Sequence, residues 1–318
     1  MRYHIRMNTT AIDALNIALM LASAVLAFFF PFELFLFSYA VLGPLHYLTE
    51  ISWLHKKQYF TSQKYDYIVL IAGTLLVLVF SFMHMQVLAA TALFMTFAAA
   101  FIMVAVTDQR TRTLLYVLAA IVATLLQSSY AYFLIFFLLL PTLIHVFLFT
   151  GAFIFHGALK NRSVVGYLSL VIFFGSAVFL WLVQSDSYAA TTYTQSTYRL
   201  FESMNITLMQ VLGFGGSALY ASKIGLAIMS VIAFSYTYHY LNWFSKTKVI
   251  RWHQVPRAQL AVLILLWIGS VGLYFYDYAT GLVVLITLSL LHVVLEFPLN
   301  HRTFIGIGGE LRTRFVRK

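Results

Sequence analysis

Apolar runs of about twenty residues recur from one end of the chain to the other, and they restrict its fold more than any other feature. Hydrophobic residues make up 62% of the 318 positions and charged residues only 9%. Within hydrocarbon every backbone N–H and C=O group needs an internal partner, and a helix of this length supplies one for most of them. We therefore predict an all-α polytopic membrane protein that forms a single transmembrane helical domain over residues 1–318.

Hydropathy predicts ten transmembrane spans. They cover residues 11–30, 34–54, 66–84, 87–106, 113–129, 131–157, 164–184, 219–243, 258–277 and 279–299. Residues 184–203 are rich in Tyr, Thr and Ser, and we expect an exposed loop or a surface helix there. The segment 204–216 ends in the sequence GFGG and is expected to be re-entrant or interfacial.

Lysine and arginine lie almost entirely on one side of these spans. All 20 of them except Arg199 and Lys223 precede the first span or follow an even-numbered one. Basic loops stay preferentially in the cytoplasm, so both termini are predicted to be cytoplasmic. The same distribution explains the net charge of +10 without a nucleic-acid partner.

Two further observations narrow the class of protein. Cysteine is absent, which excludes disulfides, thiolate metal sites and cysteine nucleophiles. The basic N-terminal stretch is followed by a long apolar segment and more spans, so we interpret that segment as the first span and not as a cleaved signal peptide. We expect an integral protein of a bacterial inner membrane, in contact with membrane lipid.

Four of the ten histidines lie inside predicted spans: His46, His145, His239 and His292. From the outer ends of their spans, His46, His145 and His292 lie at about 18, 21 and 20 Å, from the rise per residue of an α-helix. His239 lies at about 30 Å, or nearer if its span begins at Lys223. For one such histidine a hydrogen bond between helices is the ordinary explanation, but four at compatible depths favour a shared metal ion.

Two of these histidines are followed by glutamate four residues later. Glu50 follows His46 in HYLTE, and Glu296 follows His292 in HVVLE, so each pair shares a helix face. A metal-bound histidine commonly gives its other N–H to a carboxylate, and both glutamates are predicted to hold a histidine in this way or to bind the metal directly. His156 lies about 16 Å from His145 along a straight helix, which is too far for both to bind one ion. It is therefore the reserve ligand.

The ligand types favour Fe(II) with open positions for O₂, with zinc and copper as alternatives. The chain has no H-x-x-H-H cluster of the kind that holds two irons in membrane desaturases, and no flavin, haem or ferredoxin module is visible. We therefore expect one metal ion and no external reductant. Aromatic residues near the histidines are explained by helix packing or by an apolar substrate pocket. The candidates for such a pocket are Phe137, Phe149, Tyr236 and Trp243.

Four short motifs resemble those of the Brp/Blh family of membrane β-carotene 15,15′-dioxygenases. They are GPLHYLTE at His46, LIHVF at His145, YHYLNWFSK at His239 and LLHVVLEFP at His292, in the family's order over most of the chain. The chain differs from the family in having Glu50 and Glu296 where aspartate is usual and Tyr47 where glycine is usual. It also lacks an additional histidine near the third motif.

The resemblance implies a mononuclear non-haem iron centre that cleaves the central double bond of a carotenoid with O₂ to give retinal. Another apolar substrate is an alternative, and so is another membrane metalloenzyme that acts on lipid, such as a desaturase or hydroxylase. A third class is a non-enzymatic transporter or haem-binding subunit that uses the same histidines and glutamates. Transporters typically show internal repeats and paired broken helices, whereas this chain has one broken segment.

Overall fold

The structure is a computed structural model that describes residues 9–185, 188–246 and 254–316. Every regular element within these ranges is helical, as the sequence predicts. The α-helices are α1 (Thr9–Phe29), α2 (Pro31–Phe37), α3 (Gly43–Lys56), α4 (Asp66–Phe82), α5 (Gln86–Ala105), α6 (Gln109–Leu126), α7 (Tyr130–Phe133), α8 (Thr150–Asn161), α9 (Val164–Leu182), α10 (Thr192–Tyr198), α11 (Glu202–Val211), α12 (Lys223–Ser245), α13 (Arg257–Tyr276) and α14 (Tyr278–Val316). Two π-helical stretches (Ser38–Leu42 and Leu134–Phe149) and two 3₁₀ turns (Gln58–Phe60 and Arg199–Phe201) complete the set.

Eight helical segments in the described part of the chain are long and apolar enough to cross a membrane. They are Ala11–Phe29, Pro31–Lys56, Gln86–Ala105, Tyr130–Asn161, Val164–Leu182, Lys223–Ser245, Arg257–Tyr276 and Tyr278–Arg314. The two other predicted spans are helical too, but α4 has only 17 residues and α6 begins with a polar turn that carries two arginines. These helices are compatible with an integral membrane protein, and the count of ten spans with cytoplasmic termini stays a prediction.

The chain divides into two compact units. Unit 1 comprises Met1–Leu42 and Thr150–Gln254, and unit 2 comprises Gly43–Phe149 and Val255–Lys318. Two of the boundaries coincide with the ends of the π-helical stretches. The single-domain organisation over 1–318 stays a prediction.

In unit 1, α12 is the central helix, and α1, α2, α9 and α11 pack against it. Aromatic rings join three of the elements. Phe35 of α2 makes edge-to-face contacts with Tyr198 and Tyr236, at centroid distances of 5.6 and 5.2 Å. Apolar and aromatic burial of this kind holds the unit together.

The segment 184–203, which the sequence predicts as a loop or surface helix, contains α10. It is tied to α2 through Glu33, whose carboxylate accepts hydrogen bonds from Tyr188 Oη at 3.2 Å and Thr194 Oγ1 at 2.9 Å. Burial, and then the neighbouring Glu33 carboxylate, raise the pKa of the Tyr188 phenol above its ordinary value. α11 occupies the first part of 204–216, and the interfacial position of that segment stays a prediction.

In unit 2, α14 is the central helix, and it contacts α3, α4, α5, α13 and the π-helical stretch Leu134–Phe149. Elements far apart in sequence therefore meet along one helix. This arrangement brings the predicted ligands of α3, α14 and the π-helical stretch to the same core.

Helix starts follow the capping signals of the sequence. The Asp108 carboxylate accepts a hydrogen bond from Thr111 N at 2.8 Å, and Ser163 Oγ accepts one from Gly166 N at 2.9 Å. Each side chain satisfies an N–H group of a first helical turn that has no partner within its helix. The hydrogen bonds from Thr111 also lower the pKa of Asp108, because they stabilise its charged form.

The helix that carries His145 departs from regular α geometry. Leu134–Phe149 is π-helical and contains Pro141, which has no N–H to give to the carbonyl of Phe137. Wider π turns commonly appear at such interruptions and at functional sites. The depth of His145 that follows from a straight α-helix therefore does not apply to this stretch.

Unit 2 also contains a buried ion pair. Arg112 Nη1 lies 2.9 Å from Asp66 Oδ1, and Arg112 Nη2 lies 3.1 Å from Asp66 Oδ2. The guanidinium donates further hydrogen bonds to Ser62 Oγ at 2.6 Å and to the carbonyls of Val106 at 2.9 Å and Met103 at 3.2 Å. These five residues, called the Arg112 cluster below, join the start of α4 to the end of α5 and the start of α6.

Candidate metal centre

α3 supplies the first histidine and glutamate of the site. α3 follows the π-helical stretch Ser38–Leu42 without a break, and Gly43 and Pro44 are its first two residues. His46 Nε2 lies 3.1 Å from Glu50 Oε2, so the two side chains share a helix face as their spacing predicts. The two residues are only 1% and 2% exposed.

α14 and the π-helical stretch supply the other groups of unit 2. His145 Nε2 lies 3.1 Å from His292 Nε2 and 3.5 Å from Glu296 Oε2. One ligand atom from each of His145, His292 and Glu296 lies within 4.8 Å of the other two. The sequence pairs Glu296 with His292 on its own helix, whereas this short contact joins Glu296 to His145 of another helix.

His46 belongs to the same cluster. Its ring centroid lies 5.1 Å from that of His292, and a ring nitrogen of each lies within 4.8 Å of the other. His46, Glu50, His145, His292 and Glu296 are called the His/Glu cluster below. All five are buried.

The donor atoms of His145, His292 and Glu296 are spaced as the ligands of one metal ion would be. Nitrogen and oxygen ligands bound at about 2.1 Å from one ion lie about 3 to 3.5 Å from each other. The separations of 3.1 and 3.5 Å around His145 Nε2 match that range. A buried His/Glu group of this kind could hold a metal ion, and its mixture of imidazole and carboxylate suits iron, zinc or copper.

A hydrogen bond alone is the competing explanation for the short contact between His145 and His292. Two Nε2 atoms at 3.1 Å share one proton if one ring donates to the other. In that explanation Glu50 pairs with His46 and Glu296 with His145 through the short contacts already described. A divalent cation bound by the same nitrogen and oxygen atoms is the other explanation, and metal analysis distinguishes the two.

His239, the fourth predicted ligand, belongs to unit 1. It lies on α12, is 6% exposed, and its Nδ1 is 2.8 Å from Thr150 Oγ1. A hydrogen bond at one ring nitrogen fixes the orientation of the ring, which is how metal-binding histidines are commonly held. Its role as a ligand stays a prediction.

The remaining histidines lie in various surroundings. His55 and His84 are exposed, and the reserve ligand His156 is half-buried on α8 of unit 1. His4 and His253 fall outside the described residues. His301 lies beyond the last predicted span, where α14 continues past residue 299, and it is buried with its Nε2 3.0 Å from the carbonyl of Phe97.

The four predicted pocket residues are divided between the two units. In unit 2, Phe149 is buried with its ring 6.2 Å from that of His145, and Phe137 stacks on Phe133 at 5.2 Å. In unit 1, Tyr236 is buried in the aromatic packing of α2 and α12, and Trp243 is half-buried. Within unit 2, Phe149 is thus the predicted pocket residue whose ring is near a histidine of the cluster.

Two buried residues of unit 2 were not predicted as part of the site. The ring of Tyr47 stacks on His292 with centroids 4.3 Å apart. Asn300 is 1% exposed, and its amide has no hydrogen-bond partner within residues 9–185, 188–246 and 254–316. The spacing His292, Glu296, Asn300 repeats every four residues on one helix face, so the sequence carried a signal for Asn300.

Comparison with known proteins found no match: no family model, no curated protein and no solved structure matches this chain. The motifs around the four histidines therefore stay a resemblance to the Brp/Blh family.

Proposed function

We propose that the protein is a membrane-embedded, Fe(II)-dependent dioxygenase that cleaves a carotenoid, with β-carotene as the leading substrate and retinal as the product. The observation that carries this proposal is the buried His/Glu cluster of unit 2, in which three imidazoles and two carboxylates lie together. Buried ionisable groups at membrane depth are expensive and are functional by default.

The reaction needs no electrons beyond those of its two substrates. The central C=C bond is broken, and each of its carbons takes one oxygen atom of O₂, so β-carotene and O₂ give two molecules of retinal. Ferrous iron, when bound, supplies the activation of O₂. A chain without an electron-delivery module suits a reaction of this balance.

The residues of the chain have separate tasks in this proposal. His46, His145 and His292 hold the metal in unit 2, and His239 is proposed as the fourth ligand. Glu50 and Glu296 orient the imidazoles or bind alongside them, and they balance the charge of the ion. Burial of the cluster keeps bulk water away, and Phe149 beside His145 offers an apolar surface to a polyene.

The direct test is expression in a bacterium that accumulates β-carotene. Loss of the carotenoid colour and formation of retinal are expected with the wild type and with His55→Ala, and neither with His292→Ala. When purified protein is supplied with Fe(II) and ¹⁸O₂, both retinal molecules should contain ¹⁸O, without added reductant. Loss of colour without formation of retinal would contradict the proposal, and so would no loss of colour.

Two other outcomes favour the alternative functions. An absolute need for ferredoxin or NADPH would indicate a lipid desaturase or hydroxylase. A Soret band in the purified protein would indicate a haem-binding subunit, and substrate flux without chemical change would indicate a transporter.

We also propose ten spans with both termini in the cytoplasm. The uneven distribution of Lys and Arg supports this topology. Because the chain has no cysteine, single cysteines can be labelled in whole cells without background. Tyr193→Cys should react with an impermeant maleimide, whereas Lys57→Cys and Lys160→Cys should react only after the cells are opened; the reverse pattern would invert the topology.

A further inference from the structure

Tyr47 lies against the imidazole of His292 in the core of unit 2. The two rings are nearly parallel, with an interplanar angle of 21° and centroids 4.3 Å apart. Tyr47 is fully buried, and its ring also meets that of His46 edge to face, with centroids 5.7 Å apart. One side chain of α3 thus contacts two histidines of the cluster, one of which is on α14.

The position of the Tyr47 ring depends on a glycine one turn earlier. A Cβ atom placed on Gly43 would lie 2.9 Å from Tyr47 Oη and 3.1 Å from Tyr47 Cζ. Contacts that short force one group to move, so the phenol occupies space that any other residue at position 43 would claim. Gly43 therefore leaves the space that the ring occupies where it lies flat on His292.

Stacking of this kind restricts rotation of the His292 imidazole about its χ2 angle. The χ2 angle of histidine has a broad energy minimum, so an imidazole turns readily unless its faces are packed. Turning the ring of His292 would carry its Nε2 away from His145 Nε2, which now lies at 3.1 Å. Metal sites need ligand directions held within about 10 to 20° by the residues behind them.

We infer that Tyr47 is a positioning residue that holds His292 in its metal-binding orientation, and that Gly43 makes room for it. This inference rests on the metal centre of the proposed function, which it deepens. The stacked aromatic face is the active feature, so phenylalanine should serve in its place and an aliphatic side chain should not.

The test uses purified full-length protein and Co²⁺ as the probe, because the visible spectrum of bound Co²⁺ reports the directions of its ligands. Tyr47→Leu should weaken Co²⁺ binding by about 10-fold or more, as substitutions of residues that orient metal ligands usually do. It should also change the spectrum of bound Co²⁺. Tyr47→Phe should retain the wild-type spectrum and bind within about twofold, since the ring face is kept.

Gly43→Ala provides an independent variant that leaves Tyr47 in the chain. It should displace the ring and change the spectrum in the same sense as Tyr47→Leu. Added to Tyr47→Leu, it should have no further effect, because the ring that it displaces is already gone. This variant also decides the matter if Tyr47→Leu does not fold.

The outcomes separate the two levels of inference. Wild-type protein that binds no Co²⁺ would overturn the metal centre and the role of Tyr47 with it. Binding by the wild type with an unchanged affinity and spectrum in Tyr47→Leu, or in Gly43→Ala, would overturn the role of Tyr47 alone. A loss in Tyr47→Phe as large as in Tyr47→Leu would also overturn it, because the phenol group and not the stacked face would then be responsible.

Discussion

The Arg112 cluster and the His/Glu cluster are both buried in unit 2, yet their polar groups are arranged in opposite ways. In the Arg112 cluster a guanidinium meets the carboxylate of Asp66 through two parallel contacts, and its other donors reach a hydroxyl and two carbonyls. In the His/Glu cluster imidazole nitrogens and carboxylate oxygens converge on each other, and the cluster contains no lysine or arginine.

The difference shows which feature distinguishes a candidate site from structural polarity. Burial does not, because Arg112 is as buried as His292, at 2% exposure each. A buried cation with matched acceptors is complete by itself and stabilises the fold through its geometry. Imidazole nitrogens and carboxylate oxygens that converge from separate helical segments are the atoms that bind a metal ion, and this convergence marks the His/Glu cluster as a candidate site.

The largest expected effect is loss of metal from the His/Glu cluster. His145→Ala and His292→Ala should reduce bound iron from about one ion per chain to nearly none, because each removes a nitrogen ligand from the shared centre. Metal analysis of purified protein with matched anaerobic Fe(II) loading measures this. His46→Ala and His239→Ala should act in the same way.

His55→Ala is the matched control, since His55 is an exposed histidine of the same unit. It should keep its metal. If the alanine variants of all four predicted ligands retain full metal content, the ligand assignment is wrong. The short contact between His145 and His292 is then a hydrogen bond only.

The next effect, on stability, belongs to the Arg112 cluster. Arg112→Met should lower the free energy of unfolding by about 3–5 kcal/mol, because it leaves the Asp66 carboxylate buried without its cation. Thermal unfolding in detergent, compared with the wild type, measures this. Metal content per folded chain should not change.

A second substitution sharpens this prediction. Asp66→Leu in the Arg112→Met background should recover much of the lost stability, since an apolar pair of similar volume often replaces a buried ion pair without loss. A metal deficit in folded Arg112→Met would contradict the division of the two clusters into structural and functional.

A smaller effect is expected from the carboxylates of the His/Glu cluster. Glu50→Gln and Glu296→Gln keep the shape of the side chain but lose its charge, and each should weaken metal binding by about 10–100-fold if the carboxylate holds an imidazole. Titration with Fe(II) or Co²⁺ measures the change, with Glu310→Gln on α14 as the control. Complete loss of metal would make that glutamate a direct ligand, and no change would leave the repeated H-x-x-x-E spacing without a function.

The sequence predicted the helices well because hydropathy is a local property. The ten predicted spans lie largely on helical structure, although α14 runs far past the predicted end at residue 299, and the spacing of His46 and Glu50 predicted their shared face. Both results depend only on residues that are near each other in the chain.

Features that depend on packing between distant segments were not predictable in the same way. The contact of Glu296 with His145 and the stacking of Tyr47 on His292 join different helices, and no local pattern specifies them. The π-helical stretch around His145 also changes the direction of that side chain in a manner that the presence of Pro141 alone does not determine.

The smallest expected effect concerns Asn300, which lies one turn beyond Glu296 on α14 and tests whether the functional cluster ends at that glutamate. Its buried amide has no hydrogen-bond partner in the described part of the chain, so Asn300→Leu should leave stability unchanged or raise it by about 1 kcal/mol.

The matched control is Asn205→Leu in unit 1, where the amide accepts from Tyr198 Oη at 2.8 Å and Nδ2 lies 3.4 Å from Met229 Sδ. That variant should lose about 1–3 kcal/mol, because the tyrosine hydroxyl would be left buried without its acceptor. Thermal unfolding of both variants measures the difference. If Asn300→Leu instead loses stability and also weakens Co²⁺ binding, the amide holds a polar ligand beside Glu296, and the His/Glu cluster extends one turn further along α14 than its histidines indicate.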